Sequence, residues 1–472
     1  MSKPLFLISF IIILVLSFLL YHSTLNYYFF QDDFFEINIS KAHNLWEFIN
    51  FFKFRNDIIA YRPISLQSYF FLSHSIFGMD ASGQRVISFA FLFSSVLLII
   101  AIARKLTGKI AIGLLAAALW ATSSIHFMTL TWVAGAYNII GTFFWLLTSL
   151  LFLKFLETKK TLYYLATLVS FLSTVGSFEF SITWPAVFFI YHSFVLKNPL
   201  KKSIKIFSTF IIISGIYLVG RLFFIKVPQI TEYHVAFNTK SIKALFWYLL
   251  WSFNVPEEFK KQILKNLIIF NQQFLWEYWR LVVISFIGVI WEVILGVFVP
   301  LFYILREKSK VDFRLLLLLV LWFPIAVLPV LFLPNHNFVM YLTLPLVGIC
   351  FLIAYLVTQS KKRILAIPII IIWLITSINT LSFYKNNSYI VTAQKTAAKF
   401  SNDLKTAFPA LPPNSIVFYP LEGSAAKLAV LNQEAVKAIY NDPTIAIYYN
   451  KKELEEAIAS AGKNRPVFIY SQ

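Results

Sequence analysis

Asp32 and Asp33 stand side by side just past an apolar run, with Glu36 one helical turn on. Ionisable groups beside hydrocarbon are costly, so residues of this kind either do chemistry or find a partner. In an adjacent acidic pair one member can carry a raised pKa, which suits a general base. A solvated turn with a helix cap accounts for the same spacing. Tyr61-Arg62-Pro63 follows, and an arginine there either grips a phosphate or reaches out to headgroups. Arg85, opening another apolar run, has the same two readings.

Further along, 124–138 (SIHFMTLTWVAGAYN) carries His126 and Trp132 and no charged residue. The histidine is a hydrogen-bonding candidate or an interface residue. The Trp132 face belongs to an aromatic belt or stacks on a sugar or lipid chain. Glu179 is the one acidic residue in the turn 177–181 (SFEFS), and needs a partner from elsewhere, structural or substrate. The short loop 334–341 (PNHNFVMY) adds Asn335, His336, Asn337 and Tyr341, a dense polar group for a turn.

The elements that position these residues are membrane helices. Of 472 residues 59% are apolar and only 13% charged, which excludes a soluble globule and a disordered chain. Eleven apolar runs are expected to span: 4–21, 85–103, 109–123, 134–153, 161–176, 180–196, 204–224, 280–305, 314–333, 338–358 and 364–383. The first is read as a span, not a cleaved leader, because no small-residue cleavage site follows it. The net charge of +19 reads as positive-inside loops, not as nucleic-acid binding. Lys and Arg fill every second short loop, while 124–133, 177–179 and 334–337 hold none. That predicts an N-terminus inside and a C-terminus outside, in a multi-pass plasma or inner membrane protein. Three long segments, 22–84, 225–279 and 384–472, then lie outside. Aromatic-rich stretches at 44–54, 63–77 and 241–253 are expected as interfacial helices.

From 384 the composition turns polar. A helix is expected over 390–407 and strands at 415–419, 445–449 and 466–470, with a helix between the last two started by Asn450 and stopped at Gly462. This predicts a small α/β domain over 384–472. One cysteine, Cys350, rules out a disulfide framework or a cysteine-based zinc site.

Taken in order, these motifs resemble those of GT-C-type integral membrane glycosyltransferases, especially the membrane part of tetratricopeptide-containing protein O-mannosyltransferases and their bacterial relatives. The matching features are Asp32-Asp33 after the first span, Arg62-Pro63 opening an amphipathic helix, and His126 shortly before Trp132. Glu179 and Pro185 match a Lys-Glu…Pro turn, with Phe178 in place of the lysine. In 340–345 (MYLTLP), Tyr341 and Pro345 are kept and Met340 replaces an arginine. The resemblance covers 1–383, and the tail lacks tetratricopeptide repeats.

The resemblance implies an all-α membrane domain over 1–383 and an inverting transfer of a monosaccharide from a polyprenyl-phosphate-linked donor. The acceptor is a hydroxyl on a glycan, lipid or protein. It implies Asp32 and Asp33 as catalytic residues and Arg62, Arg85, His126, Trp132, Glu179, His336, Asn337 and Tyr341 around donor and substrate. No Asp-x-Asp stands here, so no metal is predicted. The competing readings are a lipid-linked glycan flippase, a polysaccharide polymerase, or a non-catalytic envelope assembly protein.

Overall fold

The computed structural model describes residues 3–226, 230–264, 269–460 and 465–470. The first half of the chain forms α1 (Lys3–Tyr21), α2 (Asp32–Ile39), α3 (Leu45–Asn50), α4 (Tyr69–Phe77), α5 (Ala81–Thr107) and α6 (Ile110–Ala121). It continues with α7 (His126–Thr131), α8 (Tyr137–Thr158), α9 (Thr161–Val175), α10 (Thr183–Ile190), α11 (Leu200–Phe224) and α12 (Thr239–Trp251). Among the described residues, seven helical stretches are long and apolar enough to cross a membrane. The other four expected spans are helices too, but short: α6, α9, α10 with its continuation Tyr191–Val195, and Pro345–Gln359. The chain is a multi-pass membrane protein.

Local chemistry sets the boundaries. Asp80 caps α5 by accepting from Ser82 N–H at 2.9 Å, and Gly108 ends it in the left-handed region at φ 70°. Asn238 and Ser241 form a reciprocal capping box at the start of α12. Asp312 caps the helix Phe313–Leu331 on two backbone N–H groups. Within the bundle α5 packs on α6 and α8, and α8 on α9.

The stretches expected as interfacial helices are helical, as α3, α4 and α12. Each leaves large apolar side chains exposed: Leu45 and Trp46 on α3, Leu72 and Ile76 on α4, Ile242 and Phe246 on α12. The span before the tail runs on to Asn387, and Ser388 breaks it before the tail helix Tyr389–Ala407.

Two short strands, β1 (Ile263–Leu264) and β2 (Ile269–Phe270), pair antiparallel within the long segment 225–279. The three tail strands, β3 (Ile416–Phe418), β4 (Ala446–Tyr448) and β5 (Val467–Ile469), form a parallel sheet in the order β4-β3-β5. The helix Lys451–Ser460 joins β4 to β5, and Asn450 Oδ1 accepts from Glu453 N–H at 2.8 Å at its start. Gly462, the expected stop, lies outside the described residues.

The tail packs back on α2. Its helix Glu434–Tyr440 lies against α2, and Asn38 donates to the Glu434 carbonyl at 3.0 Å and carboxylate at 2.8 Å. Gln31 N–H donates to the Ala429 carbonyl at 2.9 Å.

Candidate active site

The acidic pair divides at the start of α2. Asp33 is fully buried, and its two oxygens accept from Ala134 N–H at 2.6 Å and Phe30 N–H at 3.1 Å. Burial pushes its pKa up to about 7, against the pull of those two amides. Asp32 is only partly covered, and its carboxylate makes no hydrogen bond among the described residues. Burial raises its pKa, and the Arg62 charge opposes that rise. Gln31 just before it holds φ at 49°, a strained conformation for a residue with a Cβ. Asp32 and Asp33 open the helix one after the other, about 100° apart around its axis, so they point to different environments. Glu36 is buried, accepts from Gln67 at 3.1 Å, and is pushed to about 8 by burial and by Asp32.

Arg62 meets Glu179 where its segment runs beside the turn 176–179, Ile64 N–H donating to the Gly176 carbonyl at 2.9 Å. Its Nε donates to Oε2 at 3.3 Å, and its Nη2 donates to Oε1 at 3.1 Å and Oε2 at 3.0 Å. The guanidinium carbon lies 3.5 Å from the Tyr137 ring centre. Nη1 makes no hydrogen bond among the described residues, so the pair leaves one edge of the guanidinium open. Burial pushes Glu179 up, but Arg62 and Arg221 hold its carboxyl below its ordinary value. Tyr341 lies within electrostatic reach of both partners.

Two of the expected donor-binding residues are committed elsewhere. Arg85 is fully buried and donates to the carbonyls of Tyr27, Tyr28 at 3.0 Å and Thr131 at 2.8 Å. It ties the loop after α1 to α7, and its three guanidinium-group nitrogens all donate to backbone carbonyls, unlike either the phosphate or the headgroup expected as its partner. His126 donates from Nε2 to the Trp120 carbonyl at 2.8 Å, and its ring packs on Trp120. Burial drives its pKa down to about 4, and the ring that the resemblance sets near donor and substrate is held by the turn after α6. Trp132 packs at a tilt on Phe30 beside Asp33, the ring centroids 5.5 Å apart.

His336 packs between Tyr233 and Phe338, with centroids 4.7 Å and 4.8 Å away. Asn337 donates to the Pro334 carbonyl at 2.7 Å and accepts from Tyr248 at 3.3 Å. At the two positions where the resembled motifs carry a cation, this sequence packs an apolar side chain. Met340 is buried, and Phe178 lies on α8 so closely that a Cβ at Gly141 would sit 2.5 Å from its ring.

One acidic pair escaped the reading of the sequence. Glu257 and Glu258 line a cavity of about 160 Å³ together with Lys261, Ser388, Tyr384 and Tyr389. Glu257 accepts from Val339 N–H at 3.1 Å, while one Glu258 oxygen is buried without a partner among the described residues. Burial raises Glu257 to about 7 and Glu258 to about 8. Tyr389 feels both glutamates and Asp32, so this cavity and the free aspartate are neighbours. The signal was present: an acidic doublet behind Pro256 in an outer segment, of the same kind as Asp32-Asp33. Among the described residues no three His, Cys, Asp or Glu side chains converge as metal ligands.

The arrangement is a polar face at one end of a membrane bundle, with one unbound carboxylate, one partly open guanidinium and an acid-lined cavity. Residues 63–224 match the model of the dolichyl-phosphate-mannose-protein mannosyltransferase family. The chain resembles GT-C-type integral membrane glycosyltransferases, as its motifs implied. No curated protein matches it. Among solved structures it is similar to ArnT from Cupriavidus metallidurans bound to undecaprenyl phosphate. The identity is 11% over 99% of this chain and 90% of that one, with a TM-score of 0.48. It is also similar to the Archaeoglobus fulgidus oligosaccharyltransferase in complex with zinc and sulfate, at 12% identity and a TM-score of 0.46. That match covers 94% of this chain and 62% of the other, so this chain spans less than two thirds of that enzyme's length.

Proposed function

We propose that this chain is an inverting glycosyltransferase acting on the extracytoplasmic side, with a polyprenyl-phosphate-linked monosaccharide as donor. Asp32 takes the proton from an acceptor hydroxyl. The acceptor oxygen attacks the anomeric carbon, the bond from that carbon to the phosphate oxygen breaks, and polyprenyl phosphate leaves. Arg62 supplies positive charge to the leaving phosphate through Nη1, while Glu179 and Tyr137 fix the guanidinium plane. Asp33 does not touch the acceptor. It anchors the turn that presents Asp32. The cavity between Glu257, Glu258 and Tyr389 is the place for the acceptor's hydroxyl-bearing group.

The observation that carries this reading is the split of the acidic pair, with Asp33 locked on two amides and Asp32 left open beside Arg62. The match over 63–224 to a family named for a dolichyl-phosphate sugar supports the donor class. Residues 1–383 are read as the catalytic membrane unit and 384–472 as an outer domain that braces α2, with the N-terminus inside.

The test is release of polyprenyl phosphate by the purified full chain from a panel of polyprenyl-phosphate monosaccharides, with hydroxyl acceptors of glycan, lipid and peptide type. Release that depends on an acceptor supports the proposal. Failure with every donor, together with measurable lipid-linked glycan transport, favours a flippase.

A further inference from the structure

A second cavity is bordered by α12, Lys260 and the loop 334–337 and shares no lining residue with the acid-lined one. Its volume is about 390 Å³. Lys240 and Lys243 of α12 and Lys260 border it, beside Trp247, Asn335 and Asn337, and no acidic residue lines it. None of the three lysines takes part in a salt bridge among the described residues. The Lys260 ammonium lies 5.9 Å over the Trp251 ring, so its stem is held against the helix. Asn335 donates to the Thr231 carbonyl at 3.0 Å, and Asn337 to that of Pro334, so both amides stiffen the rim and charge recognition falls to the lysines.

Lys240 and Lys243 bring two charges to the rim from α12, while Lys260 also feels Glu257 of the acid-lined cavity, so an anion seated here meets a net positive edge. The same helix exposes Ile242, Phe246 and Leu249, an apolar edge beside the cationic one. A helix built this way lies at the headgroup level of a bilayer, where phosphate groups are the abundant anions.

We infer that this cavity binds the phosphate group of a ligand at the membrane surface, at a site separate from the acid-lined cavity. Phosphate suits three ammonium donors because it offers several charged oxygens to point charges that need no fixed plane. The inference does not rest on the transfer reaction or on Asp32. The phosphate can belong to a lipid headgroup or arrive free, and the two sources separate experimentally.

The experiment measures binding of dioctanoyl phosphatidic acid to the detergent-purified full chain by native mass spectrometry and titration calorimetry, with inorganic phosphate as a second probe. The expected result is saturable one-to-one binding of the lipid that weakens about tenfold or more in a Lys243→Gln, Lys260→Gln double variant. A Lys243→Arg, Lys260→Arg variant keeps binding, which separates lost charge from lost folding. A Lys159→Gln, Lys160→Gln control, changed at the opposite basic loop, binds like wild type. Competition by inorganic phosphate at millimolar level identifies the phosphate itself as the recognised group. Lipid binding without such competition assigns the site to a headgroup carried on its chains. Unchanged lipid affinity in the glutamine variant, or no saturable binding of either probe, overturns the inference.

Discussion

At the scale of single residues, adjacent carboxylates take opposite roles because successive residues of a helix point about 100° apart, so the first turn of α2 sends them to different surroundings. Gln31 sits at positive φ with its N–H on the tail, and Asp33 folds under to cap Phe30 and Ala134. Asp32 is left partly covered and without a hydrogen bond among the described residues, within reach of the Arg62 charge. Removing Arg62 leaves Glu179 in a half-buried site without its main partner. Arg62→Ala is expected to destabilise the outer face by about 1–3 kcal/mol, read by thermal unfolding in detergent. Arg62→Lys keeps the charge but loses the two-pronged grip, and recovers only part of it. The glutamates of the acid-lined cavity make a pH prediction. Glu257 and Glu258 bind protons more readily folded than unfolded, with folded values of about 7 and 8. Their contribution to stability is therefore whole below about pH 4, the ordinary carboxylate value, and is lost as pH rises through about 7 and 8. A Glu257→Gln, Glu258→Gln variant is expected to flatten the fall of the unfolding midpoint between pH 5 and pH 9.

Among the elements, hydrophobic runs of about 20 residues told where the helices lie, because nothing but a helix satisfies the backbone in lipid. The capping signal at Asn450 and the strands of the tail were legible for the same local reason. What local pattern cannot carry is partnership across the chain. Arg62 and Arg85 had identical readings in sequence, yet one faces Glu179 with an open edge and the other is consumed by three backbone carbonyls. His126 looked like a surface ligand and is a buried brace for the turn after α6. The Glu257-Glu258 doublet went unread because its meaning comes from Tyr389 and Val339, far away in sequence. The contact between tail and α2 is another long-range fact. Asn38→Ala removes both bonds to Glu434, at a cost of about 1 kcal/mol. The account predicts faster amide hydrogen exchange over residues 32–39 in that variant, with exchange in α5 unchanged. Equal exchange in α2 would remove the tail from the positioning of Asp32.

For the whole molecule, the asymmetry of basic loops predicts the N-terminus inside and the polar face outside. Cys350 is fully buried, so the chain offers a quiet background for labelling. A cysteine introduced at Ser424, in the tail, is expected to react with an impermeant maleimide in intact cells. One introduced at Lys159, between α8 and α9, is expected to react only after lysis. The reverse pattern would put the acidic pair on the inner side and the proposed acceptor with it. Placement matters to the chemistry, since a lipid-linked donor and a base must meet at one leaflet. Exposed apolar helices around that face, α3, α4 and α12, fit a site reached from the bilayer.

The most direct test of the central claim is the rate of sugar transfer by Asp32→Asn, measured beside Asp33→Asn with a polyprenyl-phosphate donor accepted by the wild type. Loss of a positioned general base costs about 10²–10⁴-fold in rate. The account predicts a loss of that size in Asp32→Asn with an unchanged unfolding midpoint, and for Asp33→Asn a lowered midpoint as its two backbone bonds weaken. Transfer at the wild-type rate by Asp32→Asn would contradict it.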